Sequence, residues 1–75
     1  MVDFTLDAKG LKCPMPVLKA KKIIKKMEHG QSLKLIADDI GAKVDIPALL
    51  SKTGCSLIED IKEENGVFTF LIKKD

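Results

Sequence analysis

The stretch Gly10-Leu11-Lys12-Cys13-Pro14-Met15-Pro16 joins a segment of alternating apolar residues to one of helical period. Proline is favoured at the first helical position, because its φ is already helical and its missing N–H would find no acceptor there. Pro14 is therefore expected to open a helix, with Cys13 at its N-cap. Pro16 still falls among the first four residues, whose N–H groups lack intrahelical partners, so two prolines stiffen the entry at little cost. A sulfur at that position feels the positive end of the helix macrodipole, and Lys12 adds a neighbouring cation. Position alone leaves two readings of Cys13 open. It is either a small buried apolar residue or a reactive thiol whose pKa lies below the unperturbed value of about 8.5.

Working back from this stretch, Val2, Phe4 and Leu6 alternate with Asp3, Thr5 and Asp7, the pattern of a strand with one buried face. Residues 8–12 form the loop that delivers Cys13. Forward from it, a helix is expected from Pro14 to about His29, with Gly30 as its stop. On a helical wheel Val17, Ala20, Ile23, Ile24 and Met27 share an arc of roughly 120°, opposite Lys19, Lys21, Lys22, Lys25 and Lys26. Leu18 breaks the pattern, projecting into the lysine face about 100° from Val17, with Met15 on the same side. These two are either isolated surface apolars or, with Lys19 and Lys22, a docking patch beside the thiol.

Leu33, Leu35 and Ala37 mark a second strand, parallel to the first because a helix joins them. Asp38-Asp39 reads as N-cap and solvent-facing groups rather than a metal site. A second helix is expected over 42–53, with Ile46, Leu49, Leu50 and Thr53 on its buried side and Gly54 at its end. Proline is tolerated in a helix only in the first turn, so Pro47 predicts a start no earlier than Lys43, with Asp45 as an alternative cap. Residues 55–62 read as a third strand. Asn65-Gly66 is a type I′ hairpin signal leading into a fourth strand over 67–72, whose Phe68, Phe70 and Ile72 are expected to face the helices. The order β-α-β-α-β-β predicts an α+β fold, a two-layer sandwich with both helices on one face of a four-stranded mixed sheet, in one domain over residues 1–75.

Composition narrows the function. All 13 basic residues are lysines, against 11 acids, giving a net charge of +2. Residues 1–37 carry a net +5 and residues 38–75 a net −3. The absence of arginine, tyrosine and tryptophan weighs against direct nucleic-acid binding. Two cysteines and one histidine supply no zinc-ligand spacing, and no stretch is long enough to span a bilayer. The N-terminus lacks a secretory pattern, which makes the cytoplasm the expected location and Cys13 and Cys55 free thiols.

The run Asp7, Gly10 and Cys13-Pro14-Met15-Pro16, with Asp38-Asp39, Asp45-Ile46-Pro47 and Gly54 behind it, resembles the TusA/SirA family of small sulfur-carrier proteins, whose hallmark is Cys-Pro-x-Pro at the start of the first helix. Ile40 and Cys55 depart from residues common in that family, a proline and a histidine respectively. The resemblance implies a sulfurtransferase-type persulfide carrier. Cys13 would take sulfane sulfur from a cysteine desulfurase or another persulfide donor and pass it to an acceptor protein of a sulfur relay, serving tRNA thiolation, cofactor sulfuration or sulfur metabolism. Pro14, Pro16, Lys12 and Gly10 would support it, Met15, Leu18, Lys19 and Lys22 would dock partners, and neither cofactor nor metal is needed. The expected free state is a monomer. The competing reading is a non-catalytic regulatory or RNA- and protein-binding module, resembling the C-terminal domain of translation initiation factor three at the level of fold.

Overall fold

In the computed structural model, which describes residues 2–75, the alternating and helical patterns become β1 (Phe4–Ala8), α1 (Met15–Lys26), β2 (Ser32–Ala37), α2 (Ile40–Thr53), β3 (Cys55–Leu57), β4 (Lys62–Glu64) and β5 (Val67–Lys74). β1 pairs parallel with β2, and β2, β3 and β4 each pair antiparallel with β5. The sheet order is β1-β2-β5-β3, with β4 also on β5. Register aligns apolar side chains in rows across the strands. Phe4, Leu33, Ile72 and Leu57 form one row, Leu6, Leu35 and Phe70 the next, and Ala8, Ala37 and Phe68 the third. Ala20, Ile24 and Met27 of the first helical segment and Ala42, Ile46, Leu49 and Leu50 of α2 close over these rows in one buried cluster. The opposite sheet face, with Thr5, Asp7, Lys34, Ile36, Thr69 and Leu71, stays exposed or half-buried. This is the two-layer α+β sandwich that the periodicities predict, with Phe68, Phe70 and Ile72 toward the helices.

Several boundaries differ from the expectation, the last strand among them, which runs on to Lys74 rather than ending at Ile72. The single third strand over 55–62 is two strands, making five in the sheet. Leu57 pairs with Ile72 and Lys62 with Thr69, so five steps on one side span three on the other and two residues are looped out. Exposed Glu59-Asp60 lies in that loop, and acidic residues are poor strand formers. The first strand also begins at Phe4 rather than Val2, and Met1 lies outside the described residues.

α2 starts at Ile40, before the limit set by Pro47, which sits inside the helix. The lost hydrogen bond is the one to the Lys43 carbonyl. Lys43 and Val44 are exposed, on a turn open to water, so that carbonyl can be hydrated. α1 runs from Met15 rather than Pro14, and ends at Lys26 instead of reaching His29 and Gly30. Met27 turns extended while its N–H still bonds to the Ile23 and Ile24 carbonyls. The Lys74 ammonium donates to the Ile24 and Met27 carbonyls at 3.0 and 2.8 Å, terminating the helix from the far end of the chain. Among the described residues no helix is long and apolar enough to cross a membrane.

Candidate functional site

The loop between β1 and α1 is fixed by the two aspartates that follow β2. β1 and β2 are parallel neighbours, so their C-terminal ends, Ala8 and Ala37, lie side by side and the segments beyond them meet. Gly10, at φ +83°, donates its N–H to both oxygens of Asp38 at 3.0 and 3.1 Å. The Cys13 N–H donates to Asp39 Oδ2 at 2.9 Å. Asp39 occupies the N-cap position of α2, but its carboxylate makes no cap hydrogen bond. Both carboxylates bind loop amides, in place of the capping and solvent-facing roles expected of them.

Cys13 is half-buried and precedes a cis peptide bond to Pro14. Pro14, not Cys13, is the N-cap residue, and Pro16 is buried at the second helical position. The cysteine thus stands one residue farther from the helix than the motif suggests. Its thiol donates to Asp45 Oδ2 at 2.5 Å. Gly41 stands one helical turn before Asp45 and faces the same sulfur. A Cβ on Gly41 would lie 3.3 Å from Cys13 Sγ and 3.1 Å from Asp39 Oδ2. Bare backbone on one side and a carboxylate on the other therefore hold the sulfur.

These neighbours reverse the expected electrostatics. The hydrogen bond to Asp45 is the largest cause, followed by burial and then by the negative charges of Asp45 and Asp39. Together they push the Cys13 thiol up from 9.0 to about 11, instead of depressing it. A carboxylate in hydrogen-bond contact acts at shorter range than a helix terminus that begins a residue later. Lys12, expected to stabilise a thiolate, is exposed and adds its backbone carbonyl to the Met15 N–H at 2.8 Å.

Met15, Leu18, Lys19 and Lys22 are brought together, with Lys21 and Lys25, around one shallow depression on α1. Met15 and Leu18, its two apolar lining residues, are 42% and 51% exposed. A second depression, between the helices, is lined by Pro14, Leu18 and Lys21 on one side and by Asp45, Ala48 and Lys52 on the other. Besides Asp38 and Asp39, read as capping and solvent-facing groups, Asp45 and Gly41 are residues that sequence reasoning did not assign to the site. The spacing of four between them, one helical turn, is the signal that could have joined them on a common face.

Comparison with known proteins shows the family of the chain. The family model described as sulfurtransferase TusA matches residues 4–74. The sulfur carrier protein TusA of Allochromatium vinosum is 51% identical over 76 residues, covering 99% of each chain. The crystal structure of a SirA-like protein from Desulfitobacterium hafniense superimposes with a TM-score of 0.81 at 26% identity, covering 93% of this chain and 95% of that one. With its cysteine-proline loop pinned by aspartates at the shared end of two parallel strands, this chain belongs to the TusA family of sulfur carriers.

Proposed function

We propose that Cys13 carries sulfane sulfur as a persulfide, accepting it from a donor persulfide such as that of a cysteine desulfurase and yielding it to an acceptor cysteine on a second protein. One observation carries this reading: Cys13 is half-exposed, with its amide and its thiol each held by a separate carboxylate. A thiol kept protonated resists stray alkylation and oxidation between transfers, because the thiolate is the reactive form. Gly10, Pro14 and Pro16 act by holding the loop, whereas Lys12 contributes charge to the surface around it. Met15 and Leu18, ringed by Lys19 and Lys22, suit a partner with an apolar contact inside an acidic rim, and the lysines speed its approach. The protein thereby acts as a sulfurtransferase without a cofactor, in the cytoplasm, on protein partners rather than nucleic acid. Incubation with a desulfurase and cysteine, followed by intact-protein mass spectrometry, tests the reading. Wild type should gain the mass of one sulfur atom, and Cys13→Ser should gain none; loading of the serine variant would refute it.

A further inference from the structure

The geometry points to Asp45 as a catalytic base, taking the thiol proton as Cys13 Sγ attacks the outer sulfur of a persulfide carried by a donor protein's cysteine; this rests on the reading of Cys13 as the sulfur-bearing residue. Three contacts confine the sulfur to a position from which that proton has one evident acceptor. Asp39 holds the Cys13 amide, Gly41 presents bare backbone behind Sγ, and Asp45 Oδ2 receives the thiol at 2.5 Å. Thiol and carboxylate are thus in direct hydrogen-bond contact, as proton transfer to a general base requires.

The need for a base follows from the same neighbours. A thiol pushed up to about 11 supplies only a small fraction of thiolate near neutrality, so attack from the protonated state requires the proton to leave during the step. The Sγ lone pair forms the new S–S bond, and the donor's own S–S bond breaks with its electron pair leaving on the donor cysteine. The thiol proton passes to Asp45 and then to that departing thiolate. Cys13 is oxidised to the persulfide and the donor persulfide is reduced to the thiol, so no other oxidant or reductant enters.

The charged groups facing this exchange come from each adjoining element. They are Asp39 and Asp45 on the α2 side, Asp38 on the Gly10 amide, Lys12 in the loop, and Lys21 and Lys52 along the interhelical depression. Of these, only Asp45 touches the sulfur's proton. A carboxylate that merely raised the thiol pKa would slow loading, whereas a base in contact speeds it, and the two roles separate in their pH dependence.

The test loads wild type and Asp45→Asn from the same desulfurase persulfide between about pH 6 and pH 9, taking the rate ratio at each pH so that the donor's own titration cancels. Wild type should be at least tenfold faster at the acid end. Its advantage should shrink as pH rises, by up to about tenfold per unit, while the variant's thiol ionises unaided. A variant equal to or faster than wild type at the acid end overturns the proposal, and so does a ratio independent of pH. Iodoacetamide alkylation of the same folded samples gives a second readout. The midpoint of the variant should fall from about 11 toward 9.0, and a midpoint unmoved from about 11 would equally overturn the role. Cys13→Ser run in parallel keeps the two readings apart. Sulfur on the serine variant defeats the assignment of Cys13, whereas a silent serine variant with a flat rate ratio defeats only that of Asp45.

Discussion

Cys13 and Cys55 are both free and both half-buried, yet they lie at opposite ends of the sheet. β3 runs antiparallel to β5, which runs antiparallel to β2, and β2 is parallel to β1, so β3 and β1 point the same way. Cys55, at the start of β3, pairs with Lys74, one residue past the Lys73–Ser32 pair at the opening of β2. Cys13 follows the other end, where Ala8 meets Ala37. The six residues of β2 between these ends span roughly 17 Å. A disulfide requires Cα atoms within about 7 Å, so the two thiols cannot pair within the folded chain. Their surroundings differ as much as their places. The Cys13 thiol meets a carboxylate at 2.5 Å, while the Cys55 thiol meets, among the described residues, the Thr53 carbonyl at 3.9 Å. Partial burial common to both does not make equal chemistry; what lies against the sulfur decides it.

The sharpest way to break this contrast is to remove each thiol in turn. Cys13→Ser should abolish sulfur loading with thermal unfolding nearly unchanged. Cys55→Ala should load and transfer sulfur as wild type does, while losing about 1 kcal/mol or less of stability in denaturant titration. Loss of loading in the alanine variant, or an intramolecular disulfide in an oxidised sample, would show that the two ends communicate.

Gly41→Ala sharpens the contrast at the Cys13 end alone. Alanine is the better helix former, so the denaturant midpoint should hold or rise slightly. The added methyl would press on Sγ at 3.3 Å and on Asp39 Oδ2 at 3.1 Å, and loading should slow by roughly tenfold or more. Unchanged loading kinetics would show that the sulfur has room to move.

Asn65→Ala perturbs the same end of the sheet without touching the site. Glu64 pairs with Val67 just beyond the Ala37–Phe68 pair, and Asn65 and Gly66 adopt φ of 52° and 77° in the turn. A left-handed alanine should cost about 1 kcal/mol, seen as a lower denaturant midpoint, with loading per folded molecule unaltered.

The effect confined to alkaline pH is on stability. The folded thiol pKa, about 11, lies above the ordinary 9.0, so the folded state favours the protonated thiol. The resulting stabilisation is fully present below 9.0 and is lost as pH rises toward about 11. Over that interval wild type should lose stability relative to Cys13→Ser, which lacks the thiol. Parallel pH profiles of the two unfolding midpoints would contradict the Asp45 contact.

The buried stripes, the hairpin turn and the order of elements, apart from the break that makes two strands of residues 55–64, were legible in the sequence. Alternation in residues 4–8 and 32–37, the stripe of Ala20, Ile24 and Met27, and Asn65-Gly66 are local patterns, set by backbone sterics and by which face avoids water. The Cys-Pro-x-Pro motif likewise located Cys13 and implied its chemistry. The tertiary structure alone decided the state of its thiol. Asp39 and Asp45 stand 26 and 32 residues from Cys13, and their carboxylates reach it only because parallel pairing of β1 and β2 folds the acidic half of the chain against the basic half. Neighbouring residues suggested a thiolate, and distant ones hold a thiol. Distance along the chain also hid the end of α1, which Lys74 caps from the last residue of β5, while the tolerance of Pro47 turned on the exposure of one helical turn. Helical period and turn chemistry act over a few residues, whereas charge and hydrogen bonding act through space, and only the fold says which distant groups come within reach.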